Sequence, residues 1–203
     1  MSAARYFVFV EFTDPEVHSL LNNLRQALSS KTLQDSAHIT VRGPYAARPD
    51  PKGVDLLSQK LHGQGVFIAD VGMFKTQKGY VVFLHAISKI FEEIWWKPDF
   101  DSLSGSRTPH ITIYETTEEK KAKAVMTFLK AEHMEIFTFG VVLTIYTSRQ
   151  HSLLSGNEHL QVNQRKLPQE RIHVNAGIHE RANSLRNHLD YPSHHPIFQQ
   201  KLL

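Results

Sequence analysis

One tripeptide occurs twice in this chain of 203 residues, as His38-Ile39-Thr40 within SAHITVRGPY and as His110-Ile111-Thr112 within TPHITIYE. Each copy lies in a short apolar run, and a strand turns successive side chains to opposite faces. Ile39 and Val41 are then expected on a core, with His38, Thr40 and Arg42 together on the other face. In the second copy Ile111 and Ile113 go inward, and His110, Thr112 and Tyr114 share the opposite face. Any fold of this chain must therefore hold two strands that are each buried on one side and carry an imidazole beside a hydroxyl on the other. With thirteen histidines and twelve threonines in the chain, roughly one His-x-Thr is expected by chance. The weight lies in two identical copies, each on a short strand preceded by turn-type residues.

The flanking segments repeat a similar order. Residues 5–12 (RYFVFVEF) read as a buried strand, rich in aromatic and β-branched side chains. Asp14 is a good N-cap and Pro15 suits a first helical turn, and Val17, Leu20, Leu21, Leu24 and Leu28 follow at helical spacing, which predicts a helix over 15–29. The first motif strand is expected to close at Gly43-Pro44, followed by a loop over 46–51 and a short helix carrying Leu56, Leu57 and Leu61. Residues 66–74 and 80–85 read as a hairpin around a polar, glycine-containing turn. From Ile87 the period becomes helical, with Ile90, Phe91, Ile94 and Trp95 on one face and Pro98 as the stop. After the second motif, Thr116 and Glu119 have the spacing of a capping box ahead of Ala122, Val125, Met126 and Leu129. Residues 136–147 read as one long strand, bulged at Gly140. The two halves suggest a weak duplication, with a pseudo-twofold axis that brings His38 and His110 face to face.

Composition removes several classes. With no cysteine, the chain has neither a disulfide framework nor a thiolate ligand or nucleophile. No apolar run approaches the roughly 18 residues of a membrane span, and the first residues lack the pattern of a signal peptide, so a cytoplasmic location without a membrane partner is expected. The net charge of +3 is modest, with no basic tract of the kind that coats duplex DNA. Residues 150–203 differ from the body: they are rich in histidine, asparagine and arginine, with a helical piece around 182–189. This arm is read as laid on the body, as an oligomerisation segment or as partly mobile. Its histidines lack the spacing of a zinc-protease helix, and no metal site is expected.

The paired H-x-T motifs, about 70 residues apart in a strand–helix context, resemble those of the two-histidine (2H) phosphoesterase superfamily. That superfamily includes RNA 2',3'-cyclic phosphodiesterases, the proteins called 2'-5' RNA ligases and viral 2',5'-phosphodiesterases. The resemblance covers residues 5–149 and implies an α+β fold within 1–149: two pseudo-symmetric lobes of antiparallel-rich sheet around a central cleft, with helices outside. It further implies a metal-independent phosphodiesterase without cofactor, acting on a 2',3'-cyclic phosphate or a 2'-5' bond in RNA ends or in a small nucleotide or oligonucleotide. The alternatives are a nucleotide or RNA-end binding module on the same fold, and reversible 2'-5' RNA ligation.

By this resemblance His38 and His110 are the catalytic acid–base pair, in either assignment, near the ordinary histidine pKa. Thr40 and Thr112 would donate hydrogen bonds to phosphate oxygens. Arg42 either adds a cation to the phosphate or pairs with a carboxylate on an adjoining strand. Tyr114, Tyr45 and Phe74 are candidates for stacking on a base, with packing as the alternative. Lys75 and Lys78 either fringe a nucleotide site or are solvated turn residues, and His85 either approaches the site or is structural.

Overall fold

A computed structural model describes residues 5–33, 35–91, 108–147 and 171–190, with the side chain of Arg42 excepted. The expected elements begin well. β1 (Tyr6–Phe12) leads to α1 (Pro15–Leu28), whose cap is the one anticipated: the Asp14 carboxylate accepts hydrogen bonds from the amides of Glu16 and Val17 at 3.0 and 2.9 Å. β2 (His38–Tyr45) runs two residues further than Gly43, with a cis peptide at Gly43-Pro44. α2 (Pro51–Leu61) buries Val54, Ser58 and Leu61, whereas Leu56, expected on its apolar face, is 62% exposed. β3 (Val66–Thr76) and β4 (Gly79–Ile87) form the hairpin, and β5 (His110–Thr116) carries the second motif. The helical segment expected from Ile87 is described only as far as Phe91; Ile94, Trp95 and Pro98 lie outside the described residues.

Two local expectations are corrected. α3 (Glu119–Ala131) is capped at Glu118 without a side-chain bond, and Thr116 Oγ1 instead accepts from the Glu118 amide at 3.2 Å. Thr116 still belongs to β5, so it is placed too early in the chain to close a capping box with Glu119. The predicted strand over 136–147 is two strands, β6 (Glu135–Thr138) and β7 (Val141–Thr147), which pair with different partners.

Among the described residues all eight strands form one antiparallel sheet, in the order β7-β1-β2-β5-β4-β3-β6-β8, where β8 is Arg171–His173. The architecture is α+β, and the described residues form one continuous sheet without a division into the two expected lobes around a cleft. The β3–β4 hairpin adds its β4 edge to β5, and β7 returns to β1. The two flanks meet at β2 and β5, through the single registered pair Ile39 and Ile111.

The split at Phe139-Gly140 also sets the curvature of the sheet. β6 and β7 stand six strands apart in the order, which in a flat sheet is roughly 29 Å. The two residues between them reach at most roughly 11 Å. The sheet must therefore coil until its flanks come together, and the Thr13 amide donates to the Gly140 carbonyl there at 2.7 Å. A Cβ on Gly140 would lie 2.9 Å from the Asp14 nitrogen, so a side chain would push β7 off the α1 cap.

One apolar core covers one face of this sheet. It joins Val8, Val10, Ile39, Ile111, Ile113, Leu84 and Leu143 of the strands to Leu21 of α1, Leu61 of α2, Val125 of α3 and Ala182 of α4 (Ile178–Asp190). The described part of the C-terminal arm lies on the body. β8 extends the sheet beyond β6, and α4 packs on α1, with Arg181 paired to the buried Glu132 at the end of α3. No helix among the described residues is long and apolar enough to cross a membrane.

Candidate active site

The pair Ile39–Ile111 buries both of its side chains in the core. Strand alternation then turns His38, Thr40, His110 and Thr112 to the opposite face. Carried one residue to either side, the antiparallel register sets His38 across from Thr112 and Thr40 across from His110. The two histidines are diagonal neighbours, with backbones about 7–8 Å apart. The structure thus brings the four motif residues into one square at the seam of the sheet.

Each histidine is held by the same local bond. His38 Nδ1 lies 2.8 Å from the carbonyl oxygen of Ser36, and His110 Nδ1 lies 2.8 Å from that of Thr108. A carbonyl only accepts, so Nδ1 carries the hydrogen in both rings. In the neutral imidazole this leaves the Nε2 lone pair free. Two residues upstream of each motif, one backbone carbonyl therefore selects the tautomer and fixes the plane of the ring.

Aromatic rings pack both imidazoles, stacked at His38 and tilted or edge-on at His110. Phe9 of β1 pairs with Thr40 and stacks on His38 at 3.8 Å and 16°. Phe83 of β4 pairs with Thr112 and lies 5.0 Å from His110. Two register positions further on, Glu11 stands opposite His38, and His85 stands opposite His110. Burial among these groups holds the His38 imidazole below its ordinary value of 6.5; the Ser36 carbonyl and Asp35 pull it up, and Arg25 and His110 push it down. His110 is also held below 6.5 by burial, partly offset by the Thr108 carbonyl and reinforced by His85.

The likeness of the two motif strands extends to a defect. The β1–β2 register shifts between Thr40 and Arg42, and the β4–β5 register shifts between Thr112 and Tyr114. Each motif is followed by a bulge, in which two residues oppose one and alternation reverses. Tyr114 pairs with the core residue Val82 and packs against the core, under the influence of Lys121 on α3 and Asp190 on α4. The expectation that Tyr114 shares the face of His110 is corrected: it lies on the helix side, away from any base bound beside the histidines. Arg42 occupies the equivalent place, with its backbone paired to Val8, and its side chain lies outside the described residues.

The other candidates separate. Tyr45 pairs with Tyr6 at the far end of β2, roughly 23 Å along the strand from His38, and so is not a neighbour of the motif square. Phe74 is 38% exposed and meets His110 edge-on at 5.3 Å. Phe74, Phe83 and His110 line an open groove of about 1190 Å³ with Lys75, Lys78 and Glu115. Lys75 also lies over the Tyr80 ring at 5.5 Å.

Phe9, Phe83, Glu11, His85, Asp35 and Glu115 are site neighbours that the sequence reading passed over or left undecided. Alternation along RYFVFVEF does put Phe9 and Glu11 on one face, but pairing them with Thr40 and His38 requires the register. Among the described residues no three histidine or carboxylate side chains gather as a metal-binding set. No protein-family model matches this chain and no curated protein is significantly similar to it, so the chemistry of the site rests on its geometry.

Proposed function

We propose that the protein is a phosphodiesterase that needs no metal and acts on RNA-type phosphoesters involving a ribose 2'-oxygen, a 2',3'-cyclic phosphate or a 2'-5' bond. The observation that carries this reading is the repeated hydrogen bond from Nδ1 to the carbonyl two residues upstream, which leaves each Nε2 free on the same face of the sheet. One imidazole takes a proton from the attacking water or hydroxyl, and the other gives one to the leaving ribose oxygen. Thr40 and Thr112 donate to the non-bridging oxygens of a phosphate bound between them. In this reading β7-β1-β2 and β5-β4-β3-β6 act as two lobes, and the face they share is the substrate cleft. Phe74 and Phe83 offer a base an apolar wall beside His110. RNA ends or small oligonucleotides in the cytoplasm are the substrates this chemistry suits.

The test is turnover of a panel of 2',3'-cyclic mononucleotides and of 2'-5' and 3'-5' dinucleotides by the purified protein in EDTA, with products separated by chromatography. Cleavage of a 2'-linked substrate, reduced about 10²- to 10⁴-fold in both His38→Ala and His110→Ala, is expected. Full activity in either variant overturns the proposal.

One observation favours a second reading, a binding module for nucleotide or RNA ends. Burial disfavours the charged form of both imidazoles, the form that the proton donor needs. Saturable binding of a cyclic nucleotide without turnover at any pH from acid to neutral is the result that would select it.

A further inference from the structure

The two motif copies match in the strand bulge that follows them and in the hydrogen bond at Nδ1, but their charged surroundings differ. Asp35 Oδ2 lies 3.6 Å from His38 Nδ1, as a charge beside a ring nitrogen that already donates to Ser36. Asp35 is itself held by Arg25 of α1, which is only 6% exposed: Nη1 donates to the Asp35 carbonyl at 2.9 Å, and Nη2 lies 3.4 Å from both carboxylate oxygens. A buried cation thus anchors the carboxylate, and its charge also opposes the charged form of the His38 ring. Across β1, Glu11 is a second carboxylate in register with His38.

His110 stands among different neighbours. Among the described residues the ionisable group acting on it is His85, opposite it on β4, with the Phe74 and Phe83 rings alongside and Glu115 further along the same groove.

We infer that His38 is the proton donor and His110 the proton acceptor of the reaction, and that Asp35, anchored by Arg25, is the positioning residue that sets this direction. This rests on the two-histidine reading above. For a 2',3'-cyclic phosphate, His110 Nε2 takes one proton from water as the water oxygen bonds to phosphorus. The bond from phosphorus to one ribose oxygen breaks, and that oxygen takes the proton from His38 Nε2. The products are a phosphomonoester, which keeps the second water hydrogen, and a free ribose hydroxyl. His110 ends charged and His38 neutral, and exchange with solvent restores the starting forms. Burial opposes the charged state of both rings; at His38 the Ser36 carbonyl and the Asp35 carboxylate counter it, against Arg25 and His110, whereas at His110 the Thr108 carbonyl counters it without a carboxylate and His85 adds to it.

The experiment is a site-resolved NMR titration of both imidazoles in the full chain, for wild type, Asp35→Asn and Asp35→Glu, beside pH–rate profiles of the same proteins. His38 is expected to titrate at higher pH than His110. Asp35→Asn is expected to lower the His38 midpoint alone and to move the alkaline limb of kcat/KM to lower pH, and Asp35→Glu to restore both. A His110 midpoint above that of His38 in wild type overturns the inference even if a variant fails to fold. So does a shift of the acid limb instead of the alkaline one in Asp35→Asn. If the titrations follow this order and His38→Ala still turns over at the wild-type rate, the charge asymmetry stands and the two-histidine function falls.

Discussion

Ile39 of β2 and Ile111 of β5 are paired across the seam of the sheet, and both are fully buried. This apolar pair, not a polar contact, sets the spacing of the histidines on the reverse face. The side chains should therefore couple energetically. Truncating either to alanine is expected to cost about 2–5 kcal/mol. A double-mutant cycle read by urea denaturation should show non-additivity of about 0.5 kcal/mol or more. Simple additivity would mean that the seam is held elsewhere.

The pH dependence follows from burial of the rings. The proposed reaction needs one charged and one neutral imidazole, a state that is most populated between the two pKa values. Both lie under the ordinary 6.5, so kcat/KM should peak on the acid side of that value and decline toward neutral pH. Stability follows the opposite course. Because the folded values are depressed, the unfolded chain binds more protons as pH falls, and stability present above 6.5 is lost as pH drops through the folded values. A pH–rate profile and melting temperatures over the same range test both signs.

Gly72 of β3 sits opposite Phe83, and a Cβ there would lie 2.6 Å from Phe83 Cε2 and 3.0 Å from His85 Nε2. Both neighbours also pack beside His110. Gly72→Ala is expected to displace the Phe83 ring, to cost about 1–3 kcal/mol, and to lower kcat/KM while the circular dichroism spectrum stays native. An unchanged rate in the folded variant would remove Phe83 from the site.

The C-terminal helix is tied down by charge. Arg181 Nε donates to Glu132 Oε1 at 2.8 Å, and Glu132 is only 6% exposed. The hydrogen bonds from Arg181 hold the Glu132 carboxyl below its ordinary 4.5, so this stabilisation is present above that value and is lost as pH falls through the depressed one. Arg181→Ala leaves a buried carboxylate unpaired. A lower melting temperature at neutral pH is the expected outcome. Glu132→Gln should lose less than Arg181→Ala, and equal losses would show that the unpaired charge is not the cause.

Much of the site was legible in the chain. The repeated His-Ile-Thr, with isoleucines in the core and histidines and threonines on the free face, needs only the two-residue period of a strand. The Asp14 cap and the β3–β4 hairpin are likewise local, since each is decided by residues within a few positions of one another. Only the tertiary structure decided what depends on the partner strand. The bulges after Thr40 and Thr112 arise where β1 and β4 offer one residue against two, and they carry Tyr114 to the helix side against the sequence alternation. The break at Phe139-Gly140 arises because β6 and β7 belong to opposite flanks of a coiled sheet. Asp35 reaches His38 because Arg25, ten residues earlier on α1, holds it there. Periodicity reports which face a residue prefers, and register decides what it meets.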